Sequence, residues 1–245
     1  MTSSTPPPVQ PLPEDWSRAL CVVAHPDDLE YGAASAVAKW THQGKTITYL
    51  LATRGEAGID GMRPEDAAAL REAEEVAGAR EVGVDVVEFL DHSDGVVEAG
   101  LPLRRDIARA IRRHRPEAVF GINHHERFAG GFTNQADHRA VGLATIDAAK
   151  DAGNRWIFSE LIDEGLEPWS GTRFVAIAGS PLPTHGTDVT GFMDPAVRSL
   201  RAHAAYLEGL GDAAPDPEEF LTMIAAGAGL AMDVEAAVLF EVFDL

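Results

Sequence analysis

The chain has 245 residues, room for one large α/β domain or two small ones, and its 45% hydrophobic and 24% charged residues fit only a globular class. Against 20 Lys and Arg stand 39 Asp and Glu, a formal net charge of −19, which argues against non-specific binding to nucleic acid or to anionic membranes. A single cysteine, Cys21, excludes a disulfide framework and a cysteine-rich zinc module, and no apolar run approaches the roughly 20 residues of a membrane span.

Residues 1–15 are Pro-rich and lack apolar periodicity. They are expected to form a disordered or polyproline-like tail ahead of one domain over 16–245. The stretch has neither a basic n-region nor an apolar h-region, so it does not read as a secretory signal, and a cytoplasmic location is expected. The wholly apolar run 19–24 (ALCVVA) predicts a buried parallel strand. A helix comes next over 31–42 with Gly44 as its stop, then a strand over 46–52. Residues 64–80 predict a helix that opens on Pro64 and acidic residues. Strand 84–90, helix 103–114, strand 118–122 and helix 136–152 continue the alternation. Short strands over 174–178 and 187–190, a helix over 195–210, an acidic loop over 211–218 and a closing strand over 236–243 complete the reading. The Ala/Gly-rich stretch 224–231 either covers a pocket or packs on the sheet. Alternation from 19 to 152 implies right-handed βαβ crossovers. The expected fold is therefore α/β, a Rossmann-like, mostly parallel sheet with helices on both faces. Such sheets bind ligands at the carboxyl ends of their strands.

Several common motifs are missing. The first strand is followed by AHPDDLEYG rather than G-x-G-x-x-G, which argues against a dinucleotide site. Gly44-Lys45-Thr46 lacks the leading glycine of a P-loop and precedes a strand. Gly179-Ser180-Pro181 lacks the spacing of a nucleophile elbow.

The first strand does carry His25-Pro26-Asp27-Asp28 at its end. In a tight turn, residues three apart can face one point, so His25 and Asp28 are candidate ligands of one metal, with Asp27 pointing elsewhere as a candidate base. Imidazole nitrogen with carboxylate oxygen suits zinc and also ferrous iron. The same residue types are common in surface turns. His138, at the opening of the helix after the fourth strand, is the candidate third ligand. A His, Asp, His set leaves a fourth position open, the catalytic rather than the structural pattern. Otherwise His138 is a solvated imidazole at a helix start. Asp137 either orients a ligand or simply suits the helix dipole.

These segments resemble the PIG-L/LmbE family of zinc-dependent N-deacetylases. AHPDDLEYG at 24–32 resembles its signature, and DHRAVG at 137–142 its second metal motif. TRGEAG at 53–58, Arg71-Glu72 with the stretch 77–83 behind it, FLDHSDG at 89–95 and the stretch 188–207 with His203 agree in order and spacing. The resemblance implies a Rossmann-like sheet and hydrolysis of an N-acyl group from an amino-sugar-containing small molecule. It further implies that His25, Asp28 and His138 hold Zn2+, with Fe2+ accepted by the same set, and that Asp27 is the catalytic base. Relatives often form homo-oligomers. The family's second motif often reads H-P-D-H, and its first His helps stabilise the transition state. Here Gln135 stands at that position. Gln135 can donate a hydrogen bond to an oxyanion but carries no charge or proton, which leaves His124, His125 and His185 as candidate cations. Arg54 and Asp94 are expected near sugar hydroxyls, and Phe128, in the loop FAGGF, as an aromatic wall. Two other readings keep the fold: an amidase acting on a larger conjugate or antibiotic intermediate, and a catalytically altered metal- or ligand-binding protein.

Overall fold

The computed structural model describes residues 8–211 and 215–245. Its strands are β1 (Gln10–Pro11), β2 (Arg18–Val23), β3 (Thr46–Leu51), β4 (Val86–Phe89), β5 (Ala118–Ile122), β6 (Phe174–Ala178), β7 (His185–Asp188) and β8 (Ala237–Asp244). Its helices are α1 (Asp28–Gly32), α2 (Ala34–His42), α3 (Pro64–Glu81), α4 (Leu101–His114), α5 (Ala136–Asp151), α6 (Glu160–Asp163), α7 (Met193–Arg201), α8 (Ala204–Leu210) and α9 (Pro217–Gly229). The strands form one sheet in the order β1-β7-β8-β6-β5-β2-β3-β4. The neighbours from β6 to β4 are all parallel, and β8 runs antiparallel between β6 and β7.

β2 explains why the sheet is covered on both sides. Its residues alternate between two cores: Ala19, Cys21 and Val23 face one, Leu20, Val22 and the adjoining Ala24 the other. The first core takes Val37 and Trp40 of α2, Ala79 of α3, Leu200 of α7 and Leu221 of α9. The second takes Leu103, Ile107 and Ile111 of α4 with Val141, Ala144 and Ala148 of α5. A strand buried on both faces reads as a continuous apolar run, as ALCVVA does.

The strand order matters for function. From β2 the chain steps to β3 and β4 on one side, then returns to place β5 on the other. β2 and β5 thus flank a topological switch point, where a crevice opens beyond the carboxyl ends of the strands. The loops that leave β2 and β5 carry His25-Pro26-Asp27-Asp28 and, further on, Asp137-His138.

Three expectations change. Of the tail expected to be disordered, residues 1–7 lie outside the described residues, but 8–15 are ordered. Gln10 and Leu12 donate to Thr184 and Gly186 carbonyls at 2.9 and 2.8 Å, so β1 adds an edge strand beside β7. Pro11, between two donors, needs no N–H of its own there. Leu12 and Trp16 are buried, and Trp16 packs on Trp40 and Phe120 at ring distances of 5.2 and 5.6 Å. Proline-rich composition hides these two anchors. Second, the helix expected over 195–210 breaks between α7 and α8, where His203 turns wholly inward. Third, the acidic loop gives way to α9. Of that loop, 212–214 lie outside the described residues. The Asp216 side chain accepts from the Glu218 and Glu219 amides, and Pro217 opens the helix. That is an N-terminal signature, and the glycines at 227 and 229 obscure the helical pattern behind it. α9 packs on β8 and α7. The Ala/Gly-rich stretch therefore lies against the sheet.

Trp16→Ala should lower stability by about 3–5 kcal/mol, the usual cost of removing a buried indole, in urea unfolding followed by circular dichroism. An unchanged midpoint would return the segment to a free tail.

Candidate metal centre

The chain reaches the switch point through a strained residue. After β2, Asp27 takes a left-handed conformation with φ 89°, which is unfavourable for a side chain with a Cβ and persists only where the surroundings enforce it. The Asp27 amide donates to Glu75 Oε2 at 3.1 Å, and its carboxylate sits 3.2 Å from Arg71 Nη2. Arg71, itself buried, also donates to the Pro26 and Gly55 carbonyls. A side chain at Gly55 or Gly58 would collide with the Arg71 guanidinium, which explains the glycines of TRGEAG.

Asp28, next along, points the other way. Its Oδ2 accepts from the Ala24 and His25 amides at 3.0 and 2.8 Å, and its Oδ1 lies 3.0 Å from His138 Nε2. His25 Nδ1 is 3.2 Å from the same His138 nitrogen. Neighbours settle what those ring nitrogens offer. Asn134 Nδ2 donates to the Asn123 and His125 carbonyls at 2.6 and 2.9 Å, so Asn134 Oδ1 is left to accept from His138 Nδ1 at 2.9 Å. His138 therefore turns the lone pair of Nε2 inward. His25 Nε2 faces Asp94 Oδ1 at 3.0 Å and Asp137 Oδ2 at 3.3 Å, and so carries a proton. Asp137 is fixed in turn by the Gly95 and Val97 amides. His25 Nδ1, His138 Nε2 and an Asp28 oxygen thus converge on one point, with the outer nitrogen of each imidazole held by a hydrogen bond, the arrangement common to metal-ligating histidines. The donor set fits zinc or ferrous iron.

The electrostatics agree. Burial raises Asp28, but the His138 and His25 rings outweigh it and hold the carboxyl well below the usual range. Burial disfavours a charged His25, yet its bonds to Asp137, Asp28 and Asp94 push it up to about 12. Asp27 behaves differently. Burial, opposed by Arg71 and assisted by Asp28, pushes it up to about 7, the range in which a group can both take and return a proton.

The structure thus brings together His25, Asp28 and His138, with Asp27 adjoining. Gln135 caps α5 without a side-chain bond and lines a cleft of about 230 Å³ with Ala57, Gly58, Asp94, Gly95, Ala136 and Asp137. Asp94, expected on sugar hydroxyls, lines that cleft but also holds His25 and accepts from the Ala57 amide. Phe128 stands edge-on to His138 with ring centroids 6.1 Å apart. Arg54 is not among the cleft residues: it bonds Leu90 O and Asp91 at 3.0 Å and Glu72 at 3.4 Å, tying two loops together. The candidate cations have other neighbours: His185, on β7, pairs with Thr184, His125 with Glu241, and the His124 ring lies against that of His125. The cation beside Asp27 is Arg71.

Sequence reasoning missed the support behind Asp27. Glu30, Glu75 and His203 are fully buried, with His203 Nε2 3.7 Å from a carboxylate oxygen of each. Burial and Glu30 push Glu75 well above the ordinary range. The Arg71 guanidinium stacks on the Tyr206 ring at 4.0 Å. Arg71 and Glu75 lie one turn apart on α3, whereas His203 stands at the break before α8 and Tyr206 on α8, and no local spacing links the two pairs.

A parallel sheet with a His, Asp, His donor set at its switch point, beside a buried carboxylate, has the layout of a metal-dependent hydrolase. The comparisons narrow that class. The family model described as PIG-L, GlcNAc-PI de-N-acetylase, matches residues 20–149. The chain is 32% identical over 195 residues to a diacetylchitobiose deacetylase of Thermococcus kodakarensis, covering 77% of this chain and 70% of that protein. It is 24% identical over 267 residues to a 1D-myo-inositol 2-acetamido-2-deoxy-alpha-D-glucopyranoside deacetylase of Streptomyces scabiei, covering 85% and 82%. Among solved structures, the N,N'-diacetylchitobiose deacetylase from Pyrococcus horikoshii, complexed with its inhibitor MPG, superposes with a TM-score of 0.85 at 24% identity, covering 94% of this chain and 85% of that one. The chain belongs to the PIG-L family. Among the described residues no helix is long and apolar enough to cross a membrane.

Asn134→Ala frees the outer nitrogen of His138 and should weaken metal binding about 10–100-fold, measured by competition with a chromogenic chelator. Unchanged affinity would show that Asn134 does not orient a ligand.

Proposed function

We propose that the protein is a zinc-dependent N-deacetylase that hydrolyses the acetamide of an N-acetylglucosamine-containing small molecule. The observation that carries this reading is the convergence of His25 Nδ1, Asp28 Oδ1 and His138 Nε2 beside the raised carboxyl of Asp27. The names of the relatives supply the substrate class, since two of them act on acetylated glucosamine compounds. A cytoplasmic setting agrees with the single, buried thiol of Cys21.

His25, Asp28 and His138 would hold the ion, which when bound would supply Lewis acidity towards the acyl carbonyl and water. The remaining work falls to side chains of the chain. Asp27 accepts the proton of the attacking water and then delivers it to the departing amine nitrogen. Arg71 and Glu75 hold Asp27 at the angle its backbone would not choose alone. Gln135, with its amide uncommitted at the cleft, donates a hydrogen bond to the oxygen on which charge develops. Asp94 accepts from a sugar hydroxyl while keeping His25 in place, and Phe128 offers a ring edge at the wall. Arg54 is left out of this set, because its guanidinium is already bound.

Elemental analysis with acetate release from N-acetylglucosamine and its β-linked dimer tests the reading. About one metal per chain and acetate release support it; release that persists after chelation overturns the metal role. Asp27→Asn should keep the metal and lose about 10²–10⁴-fold in turnover, whereas a protein that only binds ligand has no turnover to lose. Arg71 lowers the Asp27 pKa, so Arg71→Gln should raise it. Because the base acts deprotonated, the acidic limb of the kcat/KM profile should move to higher pH. A limb that stays put or falls would exclude Asp27 as the group it reports.

A further inference from the structure

A second cluster of metal-ligating side chains lies where β5 ends. His124 and His125 come just after that strand, and Glu241 reaches them from β8. His125 Nε2 is 2.8 Å from Glu241 Oε2, and Ser180 Oγ donates to the same oxygen at 2.6 Å. The two imidazole rings lie with centroids 4.1 Å apart. One ring nitrogen of each and a carboxylate oxygen of Glu241 all fall within 4.8 Å of one another.

Hydrogen bonding leaves part of this cluster unexplained. His125 has its carboxylate, but His124 Nδ1 is buried without a partner. Burial and the neighbouring His125 lower the His124 pKa, so its ring is neutral and keeps a lone pair. Two imidazole nitrogens with one carboxylate oxygen form a borderline donor set, the kind that selects zinc over magnesium or calcium. Access separates this cluster from the one formed by Glu30, Glu75 and His203. There the His203 and both carboxylate side chains are 0% exposed, whereas His125 and Glu241 are 28% and 14% exposed. An ion can enter at His125 without the core opening.

We propose that His124, His125 and Glu241 form a second site for a divalent ion of the zinc class, separate from the His25, Asp28, His138 set. Ser180 orients the carboxylate, and the solvent side supplies the remaining positions as water.

The test is a metal count on the full chain, by equilibrium dialysis against micromolar Zn2+ and, in parallel, Co2+. Visible absorption of bound Co2+ reports nitrogen and oxygen ligation independently of any activity. Glu241→Gln preserves volume, and His125→Ala leaves the backbone carbonyl that Asn134 uses; circular dichroism confirms that each variant folds. Wild type should bind about two ions per chain, and each variant about one. Asp28→Asn combined with His138→Ala should retain about one, with its Co2+ spectrum. A single ion in wild type that is lost in Asp28→Asn/His138→Ala overturns the proposal, as do two ions retained in both Glu241→Gln and His125→Ala. A single ion that survives Asp28→Asn/His138→Ala but not Glu241→Gln upholds this site and overturns the first.

Discussion

The centre of this molecule is built around a demand for positive charge. Four aspartates, Asp27, Asp28, Asp94 and Asp137, reach the switch point between β2 and β5, and each is buried or nearly so. Carboxylates are costly to remove from water unless something compensates them. Backbone amides compensate part: two donate to Asp28, two to Asp137 and one to Asp94. Side chains supply the rest: His25 touches three of the four, His138 meets Asp28 and Arg71 pairs with Asp27. The sheet order serves this demand. Only at a switch point do loops from two adjacent strands splay apart and leave room for several carboxylates and an ion.

Behind His25, Asp28 and His138 lies a second layer that fixes Asp27. Asp27 and Asp28 are neighbours in sequence and opposite in direction, which the left-handed conformation at Asp27 makes possible. Strain of that kind costs on the order of 1–3 kcal/mol and has to be offset by surrounding contacts. Here Glu75 takes the backbone amide and Arg71 the carboxylate. Glu75 belongs in turn to the sealed group with Glu30 and His203. Several polar atoms in that group have no hydrogen-bond partner among the described residues. All three side chains are fully enclosed, and close packing leaves Glu75, and through it Asp27, few alternative positions.

Legibility in the sequence depends on range. β5 and β6 are readable to the residue from their apolar runs, and β2 and β3 to within one. His25 and Asp28 lie three apart in one turn, and His138 opens a helix on the same rim, so local pattern alone picks out three side chains that converge. It cannot place Arg71, Glu75 and His203, because only the packing of α3 against α7 and α8 brings them to Asp27. The same blindness affects the amino terminus. Proline content dominates a composition argument, while two apolar side chains, Leu12 and Trp16, decide the structure. The contacts of Arg54 are hidden for a related reason. Its place after a strand is legible, but Glu72 and Asp91, its partners, lie on other elements.

Gln135 bears on both halves of the proposed chemistry. In the proposed reaction a tetrahedral oxyanion forms and an amine departs, so the site needs donor strength on one side and a proton on the other. A histidine at position 135 would contribute to both; a glutamine contributes a dipole only. Arg71 is the buried cation on Asp27, but its guanidinium is committed to Asp27, Pro26 and Gly55. The oxyanion then depends on the metal and one neutral donor, and every proton passes through Asp27. A carboxyl at its ordinary value would return a proton readily but accept one from water poorly. Burial is what moves Asp27 to where it can do both, and Arg71 keeps that burial from carrying it too far. The sealed cluster behind Asp27 thereby acquires a chemical reason: it maintains the dry, rigid setting in which one carboxyl serves as base and then as acid.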